Sequence, residues 1–207
     1  MHEVIDHIKV DGALITEKKN LSNKFNEYFV KIGETLAGAI TKTDELQDHS
    51  AYLLNPSINS FAWIMTDAAE IKNVTGKNSN THSAGYDSLS VHIVKLSIDK
   101  IAEPLSWIIN SSLTTGCVPD DLKIAKVCPI FKGGNSSEMT NYQPISILPT
   151  FSKILEKVAF NRLHSFFRSQ NSLTCNQYGF RPHHSTSMAL LVICEKKVVL
   201  LIIVKIV

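Results

Sequence analysis

The apolar pattern points to an α+β chain, mainly helical with a short antiparallel β-hairpin. Long stretches over 16–40 and 150–168 repeat apolar residues at three- and four-residue steps, the period of a one-sided helix. Between them, two extended runs near 124–131 and 142–148 flank the pair Gly133-Gly134, as the arms of a hairpin flank its bend. The 207 residues suit about one to one-and-a-half domains. A hydrophobic share of 44% with 19% charged residues excludes wholesale disorder, and 9 Gly with 4 Cys exclude collagen-like and disulfide-scaffold classes.

Thr16 is placed to cap a first helix whose stripe is Leu21, Phe25, Tyr28, Phe29, Ile32, Leu36 and Ile40. Residues 41–59 read as a polar connection with Asn55-Pro56 turn chemistry. Phe61, Trp63 and Ile64 suggest a short strand, and Asp67 with Glu70 forms a capping-box signal for a second helix. The Gly-, Ser- and Asn-rich stretch 76–87 is a loop. Two further helices are expected near 88–97 and 99–115, the latter stopped by Thr115-Gly116 with Pro119 beyond. Ile124, Val127, Pro129, Ile130 and Phe131 form the first arm of the hairpin, where Pro129 requires an edge or a bulge. Helix 150–168 buries Phe151, Ile154, Leu155, Val158, Leu163, Phe166 and Phe167, with Lys153, Lys157, Arg162 and Arg168 as its polar complement. Gly179 breaks the chain, and Ser185 starts a last helix through Leu190 and Leu191. After Glu195 the composition turns to a β-branched run.

The widely spaced cysteines Cys117, Cys128, Cys175 and Cys194 read as reduced thiols of an intracellular protein. A structural metal site is not expected, because His183-His184 has no spaced partner. Residues 1–15 carry three acidic side chains and no apolar core, so no secretory signal is expected there. The closing run VVLLIIVKIV is too short to cross a bilayer, and no membrane partner is expected. The net charge of +2 conceals a split. Residues 1–120 hold 10 basic and 15 acidic side chains, whereas 121–207 hold 11 and 4. A balance of +7 in the second part suits a polyanion such as nucleic acid, or a solvated basic surface.

Several short strings then occur in a telling order: Ser83-Ala84-Gly85-Tyr86-Asp87; Pro119; Lys126 to Gly134 (KVCPIFKGG); Asn141 to Leu148 (NYQPISIL); Ser152 to Lys157 (SKILEK); and Gln177 to Pro182 (QYGFRP). Together with Phe25-Asn26-Glu27-Tyr28-Phe29, they closely resemble the reverse transcriptase (RNA-directed DNA polymerase) of non-LTR, LINE-type retrotransposons, from about Gly12 to Leu191. The resemblance implies the fingers part of a right-hand polymerase fold. The chain then divides into an N-terminal helical extension and linker (1–60), a partial reverse-transcriptase domain (61–191) and an apolar tail outside the resemblance (192–207). It also implies RNA or DNA template-primer and nucleotide as partners, and magnesium as cofactor in the intact family.

Within the resemblance, the nucleotide-binding candidates are Lys132, Lys126 and Gln143. A lysine at a strand-to-turn bend beside two glycines lets an ammonium and main-chain amides approach phosphate; the plainer reading is a solvated hairpin lysine. Arg181, Tyr178 and Phe180 are the nucleic-acid-binding candidates, with Arg181 on backbone phosphate and an aromatic ring against a base or sugar. The residues equally allow Phe180 in a core and Arg181 on a helix carbonyl. Lys153, Lys157 and Arg162 read more simply as the wet face of their helix.

Two departures bear on activity. The family string carries arginine where this chain has Gln143, and losing a charge-assisted phosphate contact costs about 1.5–3 kcal/mol. The second is larger: polymerases hold two metal ions on palm aspartates, and this chain has no aspartate after Asp121. No catalytic or metal residue is therefore assigned, and palm and thumb are expected to be absent. The abrupt tail is of the kind a frameshift or readthrough produces. The expectation is a reverse-transcriptase fragment, catalytically inactive by itself. The alternatives are a non-catalytic nucleic-acid-binding module using 121–207, and a helical interaction protein. Self-association through uncovered apolar surface is a further expectation, and localisation stays open between nucleus and cytoplasm.

Overall fold

The computed structural model describes residues 5–40, 59–79, 83–174 and 176–204, the last nine of these by backbone alone. The linker 41–58 and Cys175 lie outside them. In chain order the elements are strands β1 (Ile8–Val10) and β2 (Ala13–Ile15), and helices α1 (Lys18–Ala39), α2 (Ala68–Lys77) and α3 (Val91–Thr115). Strands β3 (Lys126–Phe131) and β4 (Tyr142–Ile147) follow, then helices α4 (Thr150–Ser169) and α5 (Thr186–Val204). The chain is thus mainly helical with two small antiparallel sheets, β1–β2 and β3–β4. Among the described residues no helix is long and apolar enough to cross a membrane.

Two compact units divide within α4, one containing Trp63–Ala159 and the N-terminal segment, the other Ser57–Ala62 and Phe160–Val207. The main core of the first unit joins Ile71 and Val74 of α2, Val94, Ala102, Leu105, Ile109 and Leu113 of α3, and Ile154 and Val158 of α4. A second cluster joins Ile8, Leu21, Phe25 and Tyr142, with Phe29 and Phe131 at its border. In the second unit, Phe61 meets Phe166 edge-on at 5.4 Å, and the Asn59 amide donates to Gln170 at 2.8 Å.

Several elements form as their residues dictate. Asp67 accepts the Glu70 N–H at 2.7 Å, so α2 is capped where expected. Gly116 takes a left-handed φ of 73° and its N–H bonds the Ser112 carbonyl, closing α3. The Ser185 hydroxyl accepts the Met188 N–H at 3.2 Å at the start of α5.

Others differ. The N-cap of α1 is Glu17 rather than Thr16, and only Leu21 and Phe25 of its stripe are buried, with Leu36 and Ile40 exposed. Phe61, Trp63 and Ile64 form no strand: the Thr66 N–H and carbonyl find their partners in the Asn110 side chain, at 2.8 and 2.9 Å, instead of in a neighbouring strand. The two helices expected over 88–115 are the single helix α3. Its core-facing row Val94, Ile98, Ala102, Leu105 and Ile109, buried except for the half-buried Ile98, keeps helical phase straight through the apparent break, with Pro104 inside. Phe167, expected inside, is exposed. The last helix runs beyond Leu191 to Val204. The hairpin β1–β2 was not expected; its signal was Asp11-Gly12, which take φ values of 50° and 84° in a two-residue turn.

Candidate nucleotide-binding hairpin and nucleic-acid loop

In β3–β4, Lys126 pairs with Ile147, Ile130 with Gln143 and Phe131 with Tyr142, and Pro129 faces Pro144. Two facing prolines have no N–H to exchange, so this pair occupies a non-hydrogen-bonded position of the ladder. The alternation carries on past the strand end, where the Lys132 N–H donates to the Asn141 carbonyl at 2.9 Å. Side chains on a strand alternate between faces, and paired residues share one. Lys126, Ile130, Lys132 and Gln143 therefore stand on one face of the hairpin. Val127, Pro129, Phe131 and Tyr142 stand on the other, which is turned to α1: Phe25 meets the Tyr142 ring edge-on at 5.0 Å, and a groove of about 610 Å³ is lined by Phe25 and Phe29 together with Val127 and Pro129.

The three nucleotide-side candidates Lys126, Lys132 and Gln143 are thus brought to one face, and all three are exposed. Among the described residues neither Lys126 nor Lys132 is ion-paired to a carboxylate, whereas the nearby Lys123 bonds Asp120 at 2.9 Å. That bond and the lysine charge hold the Asp120 carboxyl below its ordinary range.

The bend itself is built. Gly133 and Gly134 have φ values of 137° and 91°, which side-chain-bearing residues rarely adopt. A Cβ on Gly134 would sit 2.9 Å from the Asn141 amide. That amide donates to the Asn135 carbonyl at 2.9 Å, and the Asn135 side chain accepts from the Ser137 N–H at 3.0 Å and hydroxyl at 2.8 Å. The Tyr142 hydroxyl donates to the Ser136 carbonyl at 2.7 Å, and the Lys9 N–H donates to the Ser137 carbonyl at 2.8 Å. Sequence reasoning quoted Tyr142 within its string but missed its part in the turn. The signal was an aromatic residue opening the second strand, opposite Phe131.

Three of the strings that carried the resemblance converge beside this hairpin. Gly85 lies against the backbone of Pro149, where an added Cβ would be 2.8 Å from its nitrogen. The Thr150 hydroxyl donates to the Leu89 carbonyl at 2.9 Å, and the Ser152 hydroxyl to the Leu122 carbonyl at 2.7 Å. The Tyr86 hydroxyl donates to the Asp121 carbonyl at 3.1 Å, and lost hydration, with the Asp121 charge adding to it, raises the pKa of that phenol. The start of α4 is therefore tied to the 83–90 segment and to the turn at Asp120–Leu122.

The second unit carries the other candidates. Phe180 is fully exposed with φ 59°, so it is not a core residue. The Arg181 guanidinium donates to the carbonyls of Thr174, at 2.9 Å, and Gln177, at 3.5 Å, tying the loop to itself rather than to a helix end. Tyr178 is half-buried with its ring 5.8 Å from that of His184. On α4, Lys157 is exposed while Lys153 and Arg162 are half-buried. Among the described residues no group of three or more His, Cys, Asp or Glu is placed to hold a metal ion.

No protein-family model matches the chain. It is 31% identical over 136 residues, 65% of its length, to the RNA-directed DNA polymerase from mobile element jockey of Drosophila melanogaster. Over 83 residues, 40% of its length, it is 36% identical to the probable RNA-directed DNA polymerase from transposon BS, and over 151 residues, 72%, it is 25% identical to that from transposon X-element, both of the same fly. The chain spans 15%, 9% and 16% of the lengths of these three proteins. The resemblance read from the ordered strings is thereby found over 40–72% of the chain, which is similar to RNA-directed DNA polymerases of Drosophila non-LTR retrotransposons.

Proposed function

We propose that the exposed face of β3–β4 binds the triphosphate of an incoming nucleotide within a reverse-transcriptase assembly, and that these 207 residues alone do not carry out polymerisation. The observation that supports the first part is the sharing of one face by Lys126, Lys132 and Gln143, with Tyr142 of the opposite face packed against Phe25 of α1. Two ammonium groups without carboxylate partners among the described residues, one on the ladder and one just past its end, give a positive surface, and Gly133, with open space where a Cβ would stand, lets phosphate approach the main chain. Gln143 contributes a neutral donor where arginine would bring a charged fork. The second part rests on the sequence, which offers no aspartate after Asp121 for a two-metal phosphoryl transfer. Primer extension with template, deoxynucleotides and magnesium is expected to stay at background; extension by the pure chain overturns this part.

A second reading, a nucleic-acid-binding module, is favoured by the fully exposed Phe180 ring beside the +7 balance of residues 121–207. An exposed aromatic ring stacks on an unpaired base and contributes about 1–3 kcal/mol. Binding of a single-stranded oligonucleotide is then expected to weaken steeply with salt. It should drop further on Phe180→Ala and on the double change Lys132→Ala with Arg181→Ala. Binding indifferent to salt and to these changes removes the module.

A further inference from the structure

We propose that the N-terminal segment β1–β2–α1 is a positioning device for the Lys132 bend, acting through Tyr142; this rests on the nucleotide reading of the hairpin. The connection from Lys132 to Asn141 carries the candidate ammonium on two glycines, a backbone with little intrinsic preference for one shape. Two of its carbonyls are nevertheless held from outside. Ser137 accepts from the Lys9 N–H of β1 and Ser136 from the Tyr142 hydroxyl. Tyr142 is itself fixed by the rings of Phe25 and Phe131, at 5.0 and 5.4 Å, in a cluster closed by the fully buried Ile8. Deleting the N-terminal contacts removes one tether and loosens the anchor of the other, while the β3–β4 ladder, whose own pairing sets Lys126 and Gln143, persists. Lys132 alone of the three candidates lies beyond the strand end, and so depends on this clamp.

The test uses the full chain labelled with nitrogen-15, with amide exchange read for Gly133–Glu138 and dTTP titrated as the probe. Tyr142→Phe keeps the ring packing and deletes the hydroxyl donor; Lys9→Pro deletes the other tether. Each variant is expected to speed exchange in the bend and to weaken dTTP binding about two- to tenfold, the loss of one ordinary hydrogen bond. The α3 amides should stay as protected as in the parent chain. Unchanged exchange and affinity in both variants overturn the proposal. So does a loss of protection that extends equally to α3, which marks Tyr142 as merely structural. Lys132→Ala separates the two ideas. If it abolishes dTTP binding while Tyr142→Phe does not weaken it, positioning fails and the nucleotide reading stands. If it leaves binding intact, the nucleotide reading fails, and the positioning role with it.

Discussion

Gly85 shows how a single residue can hold a string of sequence together. Its Cα faces the backbone of Pro149, and a Cβ there would meet nitrogen and Cα at 2.8 and 2.9 Å, atoms that cannot swing aside as a side-chain tip can. Gly85→Ala is expected to cost about 1–3 kcal/mol, the usual penalty of overpacking, measured as a shift in urea midpoint at constant slope. An unchanged midpoint would mean that the 83–90 segment moves freely against α4. At this scale the sequence was readable only in part. The caps at Asp67 and Ser185 and the stop at Gly116 follow from local hydrogen-bonding chemistry, and are found. Arg181 bonding to Thr174 and Gln177 was not readable, because a guanidinium satisfies loop carbonyls as readily as phosphate, and spacing alone does not choose.

Among the elements, α3 is the instructive case. A proline in a helix interior removes one hydrogen bond and crowds the preceding turn, at a cost of about 3 kcal/mol. The 25-residue helix accepts this at Pro104 because Ala102, Leu105 and Ile109 bury their side chains on either side of it. Pro104→Ala is expected to stabilise the chain by about 1–2 kcal/mol, the restored bond being offset by the greater freedom of the unfolded chain. A lower unfolding midpoint would show that the backbone at this position is fitted to proline. The signal for one helix rather than two was the unbroken period of the row Val94, Ile98, Ala102, Leu105 and Ile109. The hairpin arms were legible from β-branched runs about Gly133-Gly134. Which residues share a face was not, since that depends on register and only the pairing supplies it.

For the whole molecule, the similarity to retrotransposon polymerases came from the order of strings that lie far apart in sequence. The structure gives one reason for that order, since residues near 85, 122 and 150 meet at the start of α4. The division into two units within α4 was not legible, because the apolar row of that helix is continuous from Phe151 to Phe166 while its neighbours change. The closing run of α5 is apolar on nearly all its residues. A chain ending at Leu191 is therefore expected to give a larger soluble fraction than all 207 residues on expression; equal yields would count against that. A two-stranded sheet also has two open edges, each a template on which another strand can pair. At a non-hydrogen-bonded position the main-chain N–H points away from the partner strand, toward the open edge. Pro129 and Pro144 occupy one such pair, so each outer edge lacks a donor at its middle. The hairpin is thereby fenced against strand addition from both sides, and can hold out a charged face without inviting a third strand to join it.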